Sequence, residues 1–219
     1  MVIKHTAFKH GWWYFYRVHT QKTEGLADKF PELKQYLSDR FISCPNEYFE
    51  VEPRSSKLRF SLSNLKITHI PNHEVATLAR LGLQANESRF ASNHSKVQVF
   101  MLENDANTIA MEIPLWLHHD ELQHYEKIFA CETPLTGHID LLRIEDGKIW
   151  IWDYKPNANF EKYATTQVYF YAYMLSKRTG IPLDQFRCGY FDAINTYVFD
   201  PNTCKVTEPE QKRLLQKIF

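Results

Sequence analysis

Read for the period of its apolar positions, the chain becomes legible from about residue 83 onward. Val97, Phe100 and Met101 are spaced for one buried stripe, which predicts a helix over Leu83–Glu103. Thr108–Leu117 is apolar enough for a strand, with Pro114 suggesting a bulge or an edge because proline has no N–H for the ladder. Two more strands, Gly137–Ile144 and Lys148–Lys155, are joined by Asp146-Gly147. An Asp-Gly pair between apolar runs is a strong hairpin signal, since both residues tolerate the positive φ of a tight turn. A helix is predicted from about Asn159 to Arg178, stopped by Gly180 and Pro182. Phe186–Phe191 and Thr196–Phe199 read as short strands and Pro209–Ile218 as a closing helix. The order helix, three strands, helix, strand describes a mixed α/β domain. Residues 1–82 read as mixed and mainly helical: an aromatic run from Trp12 to Tyr16, a helix near Leu26–Phe41, a break at Cys44-Pro45, and a basic alternating stretch, Lys57–Leu62, suited to a strand or ribbon.

The Asp146-Gly147 turn makes the hairpin register computable. With a two-residue loop, Glu145 pairs with Lys148, Ile144 with Ile149, Leu142 with Ile151, and Asp140 with Asp153. Directly opposed residues have Cβ atoms roughly 4.5–5.5 Å apart, where like charges repel. Strand alternation puts Lys155 on the same face as Asp153. The face carrying Leu142, Ile144, Ile149 and Ile151 therefore ends in two carboxylates and an ammonium. Such a group needs a proton, a cationic partner or a metal ion; an Asp153–Lys155 ion pair is the purely structural alternative. The tripeptide Asp153-Tyr154-Lys155 has counterparts at Glu32-Leu33-Lys34, Asp146-Gly147-Lys148 and Glu210-Gln211-Lys212. Only the first closes an apolar strand opposite another carboxylate.

Composition changes this picture little. Formal net charge is zero, with 44% hydrophobic and 24% charged residues, as in an ordinary globular protein. Residues 1–100 hold 14 Lys and Arg against 9 Asp and Glu, and residues 101–219 hold 12 against 17. A mildly basic, substrate-gripping part beside an acidic, metal-binding part is one reading of that split; chance is the other. No run approaches the ~20 apolar residues of a membrane helix. Four scattered cysteines, Cys44, Cys131, Cys188 and Cys204, form no C-x-x-C pair, which suggests reduced thiols in a cytoplasmic protein.

Gly137-His138-Ile139-Asp140, then Trp152-Asp153-Tyr154-Lys155-Pro156, then Gln167-Val168-Tyr169-Phe170-Tyr171 resembles the G-x-x-D, D-x-K and Q-x-x-x-Y series of RecB-like PD-(D/E)XK nucleases. These include the CRISPR-associated RecB-like exonucleases. The resemblance covers about residues 92–191, with order and spacing intact. It implies a restriction-endonuclease-like α/β core with a central mixed sheet flanked by helices over 83–219, and an accessory, substrate-gripping region over 1–82. It further implies a metal-dependent nuclease, acting on DNA rather than RNA, as an exonuclease or structure-selective enzyme. Asp140, Asp153 and the Tyr154 carbonyl would hold Mg²⁺ or Mn²⁺, and Lys155 would orient or deprotonate water and offset phosphate charge. Gln167 and Tyr171, four apart on one helix face, would look back at the site. A further ligand from the preceding helix would be His94, with Glu87 in reserve. Glu112, charged in an apolar strand, is another ligand candidate because it needs a partner there.

Three other features have competing readings. His118-His119-Asp120, with His124 nearby, has metal-ligand residue types and suggests a second metal site or a different metalloenzyme. Cys44-Pro45-Asn46-Glu47-Tyr48-Phe49 is similar to a C-P-x-x-Y-F segment of RecB-like nucleases, but only Cys188 and Cys204 come late, so an iron–sulfur cluster is not expected. Trp12–Tyr16 could stack on unpaired bases or simply pack in the core. A binding protein that kept the fold and lost activity is the rival function; the intact Asp140, Asp153 and Lys155 count against it.

Overall fold

The computed structural model describes residues 2–62 and 65–204, so the helix expected at Pro209–Ile218 lies outside the described residues. One eight-stranded mixed sheet organises the chain, in the order β1-β2-β4-β5-β6-β7-β8-β3. The strands are β1 Ile3–His10, β2 Trp12–His19, β3 Thr68–His69, β4 Thr108–Leu117, β5 Leu135–Glu145, β6 Lys148–Tyr154, β7 Phe186–Phe191 and β8 Thr196–Phe199. Among the described residues the one parallel strand pair is β6–β7, bridged by the helix α6, Ala164–Thr179, which follows the short helix α5, Tyr125–Phe129. That helix ends where Gly180 takes φ 78° and donates its N–H to Ser176 O at 2.8 Å, as the Gly180 stop signal requires.

Each face of the sheet buries its own apolar set. Leu142, Ile144, Ile149 and Ile151 pack with Val168, Phe170 and Met174 of α6 and with Leu33 and Leu37 of α2, Pro31–Asp39. The alternate residues Leu141, Trp152 and Tyr154 pack with Val97, Met101 and Leu102 of α4, Asn93–Asn104, and with Val75 and Ala79 of α3, Glu74–Ala85. This division is the period-two alternation of β5 and β6 made visible.

The hairpin forms in the expected register: Glu145–Lys148, Ile144–Ile149 and Leu142–Ile151 are paired. Asp146 and Gly147 have φ of 50° and 67°, both in the left-handed region that such a two-residue turn demands. The ladder stops, however, at Leu141–Trp152. The expected Asp140–Asp153 pair does not form; β6 continues beside β7 through Asp153–Tyr190, while β5 continues beside β4. Two opposed carboxylates disfavour continued pairing, and the strands part where they meet.

Other expectations need correcting. The single helix over Leu83–Glu103 is instead the end of α3 and all of α4, because Asn86 and Ser92 cap the two helices. Short polar side chains that bond the backbone end helices as readily as they start them. Lys57–Leu62 is no strand: Ser55–Lys57 forms a single 3₁₀ turn and the residues after it are irregular. β4 lies inside the sheet, but Pro114 sits at a local edge, as expected of a proline: β2 pairs with β4 only through Val18–Ala110 and Arg17–Met111, leaving Pro114 with β5 as its strand neighbour. Leu26–Phe41 contains α2, preceded by a separate helix α1, Thr20–Leu26. The aromatic run forms β2, which with β1 makes a hairpin at the sheet edge, so residues 1–82 add strands as well as helices.

Candidate active site

The splayed end of the β5–β6 hairpin opens into a cleft of about 270 Å³, lined among others by His94, Glu112, Asp140, Asp153, Lys155, Gln167 and Tyr171. Residues from α4, β4, β5, β6 and α6 thus meet at one place, although up to 77 positions separate them in sequence (171 − 94).

Asp153 and Lys155 stand on the same face at the end of β6, with Lys155 Nζ 2.7 Å from Asp153 Oδ2. Gln167 holds both: its Oε1 accepts from Lys155 Nζ at 2.9 Å, and its Nε2 donates to Asp153 Oδ1 at 3.1 Å and to Tyr171 Oη at 2.8 Å. One helical turn between Gln167 and Tyr171 puts both side chains over the pair. Asp153 Oδ2 is buried and accepts no hydrogen bond among the described residues; its contact with Lys155 is ionic and off the hydrogen-bond direction. Burial opposes the charge on Lys155, yet Asp153 and Asp140 outweigh it and hold its pKa above the ordinary lysine value.

Asp140 projects from β5 and its Oδ2 accepts from the backbone N–H of Tyr154 at 2.9 Å, filling the place of the missing ladder partner. His94, in the first turn of α4 behind its Ser92 cap, brings Nε2 to 3.9 Å from the same oxygen. The Tyr154 ring turns to the other face, against His94 and Phe191. Glu87 lies in the α3–α4 connection, away from the cleft. Glu112 accepts a hydrogen bond from Gln98 Nε2 at 2.7 Å. Its φ of 54° places a non-glycine residue in the left-handed region, which costs about 1–3 kcal/mol and persists only where the surroundings enforce it. Burial first, and the nearby Asp140 charge second, raise the Glu112 carboxyl; burial and Asp153 raise Asp140 in the same way. Asp140 keeps 13% of its side chain exposed, so water moderates its shift.

Gly137 shows why the residue three before Asp140 is bare. A Cβ there would collide with Cε1 of Tyr171 and lie 3.1 Å from Ser55 Oγ. Gly137→Ala must push Tyr171, and through it Gln167, off the Asp153–Lys155 pair. Overpacking of this kind costs roughly 1–3 kcal/mol. A urea melt should show that loss, and a wild-type midpoint for the variant would refute the close approach.

The cleft wall contains residues that pattern reading did not find. His10 Nδ1 lies 2.8 Å from His138 Nε2, and His10 Nε2 lies 2.8 Å from Asn46 Oδ1. Phe49 stacks on His10 at 3.8 Å and Tyr14 on His138 at 3.7 Å. Burial lowers both imidazole pKa values, so this pair is neutral and structural. Asn46 and Phe49 of the Cys44–Phe49 segment therefore brace the wall. Arg54, whose Nη2 donates to His10 O and Phe49 O, adds a guanidinium to the lining. No spacing rule could have indicated it. By contrast, Lys57 is paired with Glu52 and Arg59 bonds the carbonyls of Ser56 and Leu58.

None of the four cysteines is joined in a disulfide. His118, His119, Asp120 and His124 are not gathered: His118 and Glu121 form the reciprocal cap of a 3₁₀ turn instead. Among the described residues no three His, Cys, Asp or Glu are drawn into a closed metal cage, the cleft included. There, Lys155 and Gln167 engage Asp153, so a bound cation would have to take over Asp153 Oδ2. That atom's lack of a hydrogen bond, together with the raised Asp140 and Glu112 carboxyls, makes a donor set that fits a hard divalent ion. Such ions take few carboxylates and keep several waters.

Among the described residues, no helix is long and apolar enough to cross a membrane. Comparison with curated proteins finds no match, and comparison with solved structures finds none either. A family model does match, over residues 62–219, and it describes the PD-(D/E)XK nuclease superfamily. That superfamily is generally one of nucleases, typically dependent on divalent metals and acting on nucleic acid. The match spans every element from β3 to β8, and thus every acidic residue of the cleft. By this match and by its mixed α/β sheet, the chain belongs to the PD-(D/E)XK nuclease superfamily.

Proposed function

We propose that the protein is a Mg²⁺- or Mn²⁺-dependent deoxyribonuclease of RecB-like type, hydrolysing phosphodiester bonds as an exonuclease or structure-selective nuclease. The observation that carries this reading is the convergence of Asp140, Asp153 and Lys155 with Gln167 and Tyr171 on one cleft. Asp140, Asp153 and the Tyr154 carbonyl would hold the cation, with His94 and Glu112 at the margin. When bound, a divalent cation polarises a phosphoryl oxygen and lowers the pKa of a coordinated water.

The chain's own groups do the rest. The Lys155 ammonium offsets negative charge developing on the phosphate as the water oxygen bonds to phosphorus and the bridging P–O bond breaks. Gln167 fixes the Lys155 and Asp153 rotamers, and Tyr171 fixes Gln167. Arg54 lies in the lining where a second phosphate of the strand would pass.

End-labelled single- and double-stranded DNA and a closed circle, each incubated with Mg²⁺, Mn²⁺ or EDTA, test this. Cleavage of linear DNA with either metal and none in EDTA is expected. Products from RNA alone, or cutting that survives EDTA, would refute the assignment.

A further inference from the structure

The outer face of the β1–β2 hairpin has no role in the site just described. Trp12, Trp13 and Phe15 are 81%, 60% and 51% exposed. They line a groove of about 500 Å³ whose opposite wall is α4 and the loop before it, including Phe90, Ser95 and Val99. The groove runs into the catalytic cleft, since Tyr14, His94 and Glu112 line both.

Basic groups are interleaved with these rings. Strand register sets Lys9 opposite Trp13 and His5 opposite Arg17, all on one face by the pleat. Arg17 also lines the groove, and its buried Nε has no hydrogen-bond partner among the described residues.

We propose that this groove binds an unpaired nucleic-acid strand, with bases stacked on Trp13 and Phe15 and phosphates beside Lys9 and Arg17, and leads it to the cleft. The inference rests on the nuclease reading and adds the strand state of the substrate. Stacking selects single strands because duplex bases already cover one another's faces, and it tolerates any sequence because every base has a π-face. A second copy of this chain is a poorer occupant: the exposed Lys4, His5 and Lys9 on β1 oppose edge-to-edge strand pairing.

Binding in EDTA, where no cleavage is expected, separates grip from chemistry. Anisotropy of a labelled oligothymidylate of about 20 nucleotides should show tighter binding than a duplex of equal length, with quenching of tryptophan emission by the single strand only. Trp13→Ala and Phe15→Ala should each weaken single-strand binding about 5- to 100-fold. Being exposed, both positions should leave the melting temperature unchanged; should either variant melt lower, quenching in the wild type decides alone. Equal or tighter duplex binding, no quenching, or a dimer in sedimentation that Trp13→Ala dissociates would overturn the proposal. Bis(p-nitrophenyl) phosphate with Mn²⁺, a diester too small to reach the hairpin, reports the cleft. Its cleavage without strand stacking removes the groove and spares the nuclease reading; stacking without cleavage of any diester does the reverse.

Discussion

Lys155→Ala should lower the rate of phosphodiester cleavage by roughly 10²–10³ while leaving DNA affinity nearly unchanged, because a charge placed where negative charge develops acts mainly in the transition state. The side chain is 17% exposed and its nearest anionic atom, Asp153 Oδ2, lies 2.7 Å away with Asp153 only 2% exposed. The same substitution should therefore destabilise the metal-free protein. Removing one partner of a buried ion pair costs about 3–5 kcal/mol, and the residual exposure of Lys155 puts this case at the low end. A divalent cation would supply the missing positive charge, so Mn²⁺ should restore most of that stability without restoring the rate. Single-turnover cleavage and denaturant titrations, each with Mn²⁺ and with EDTA, read the two effects separately. A variant that cuts at the wild-type rate would remove Lys155 from the mechanism.

Metal and pH should act on stability through the same carboxylates. The hairpin register alone suggests a repelling Asp140–Asp153 pair, for which Asp153→Asn relieves strain. The structure redistributes that strain: Asp153 is matched by Lys155 and Gln167, and the elevated groups are Glu112, at about 8, and Asp140, at about 6. Both lie above their unfolded values of about 4.3 and 3.9. A folded pKa above the unfolded one gives stability that is complete below the unfolded pKa and lost as pH rises through the folded pKa. In EDTA the wild type should thus lose stability between about pH 4 and pH 8. Glu112→Gln and Asp140→Asn should flatten that fall and be at least as stable as wild type at pH 8, whereas Asp153→Asn should be less stable because Lys155 loses its partner. Mn²⁺ at a hundred times its dissociation constant should stabilise the wild type by about 2.7 kcal/mol at pH 8, and Asp140→Asn and Asp153→Asn far less. Melting curves across pH, with and without Mn²⁺, decide this. A wild type indifferent to both metal and pH would end the metal-site assignment.

Local sequence determined the parts of this protein whose structure depends on near neighbours. Asp146-Gly147 has the two residues that accept positive φ, so the turn, the Glu145–Lys148 register and the placing of Lys155 beside Asp153 follow without reference to the rest of the chain. Gly180 ends α6 for the same reason. The four-residue step from Gln167 to Tyr171 needs only a helix to become one face, and the strands Thr108–Leu117, Phe186–Phe191 and Thr196–Phe199 stand out by apolar content.

Tertiary structure decided whatever depends on distant chain meeting. The β5–β6 ladder could have continued to Asp140–Asp153; instead β5 stays with β4 and β6 with β7 where the two carboxylates would meet, and that parting makes the cleft. Gly137 is bare because Tyr171, 34 positions later (171 − 137), passes over it, and Arg54 reaches the lining through carbonyls at His10 and Phe49. The aromatic run at Trp12–Phe15 looks the same in sequence whether it is core or surface, since large rings serve either purpose. Only its place in an edge hairpin, paired to β4 at just two positions, leaves Trp12, Trp13 and Phe15 in solvent beside the cleft while Tyr14 turns in to stack on His138.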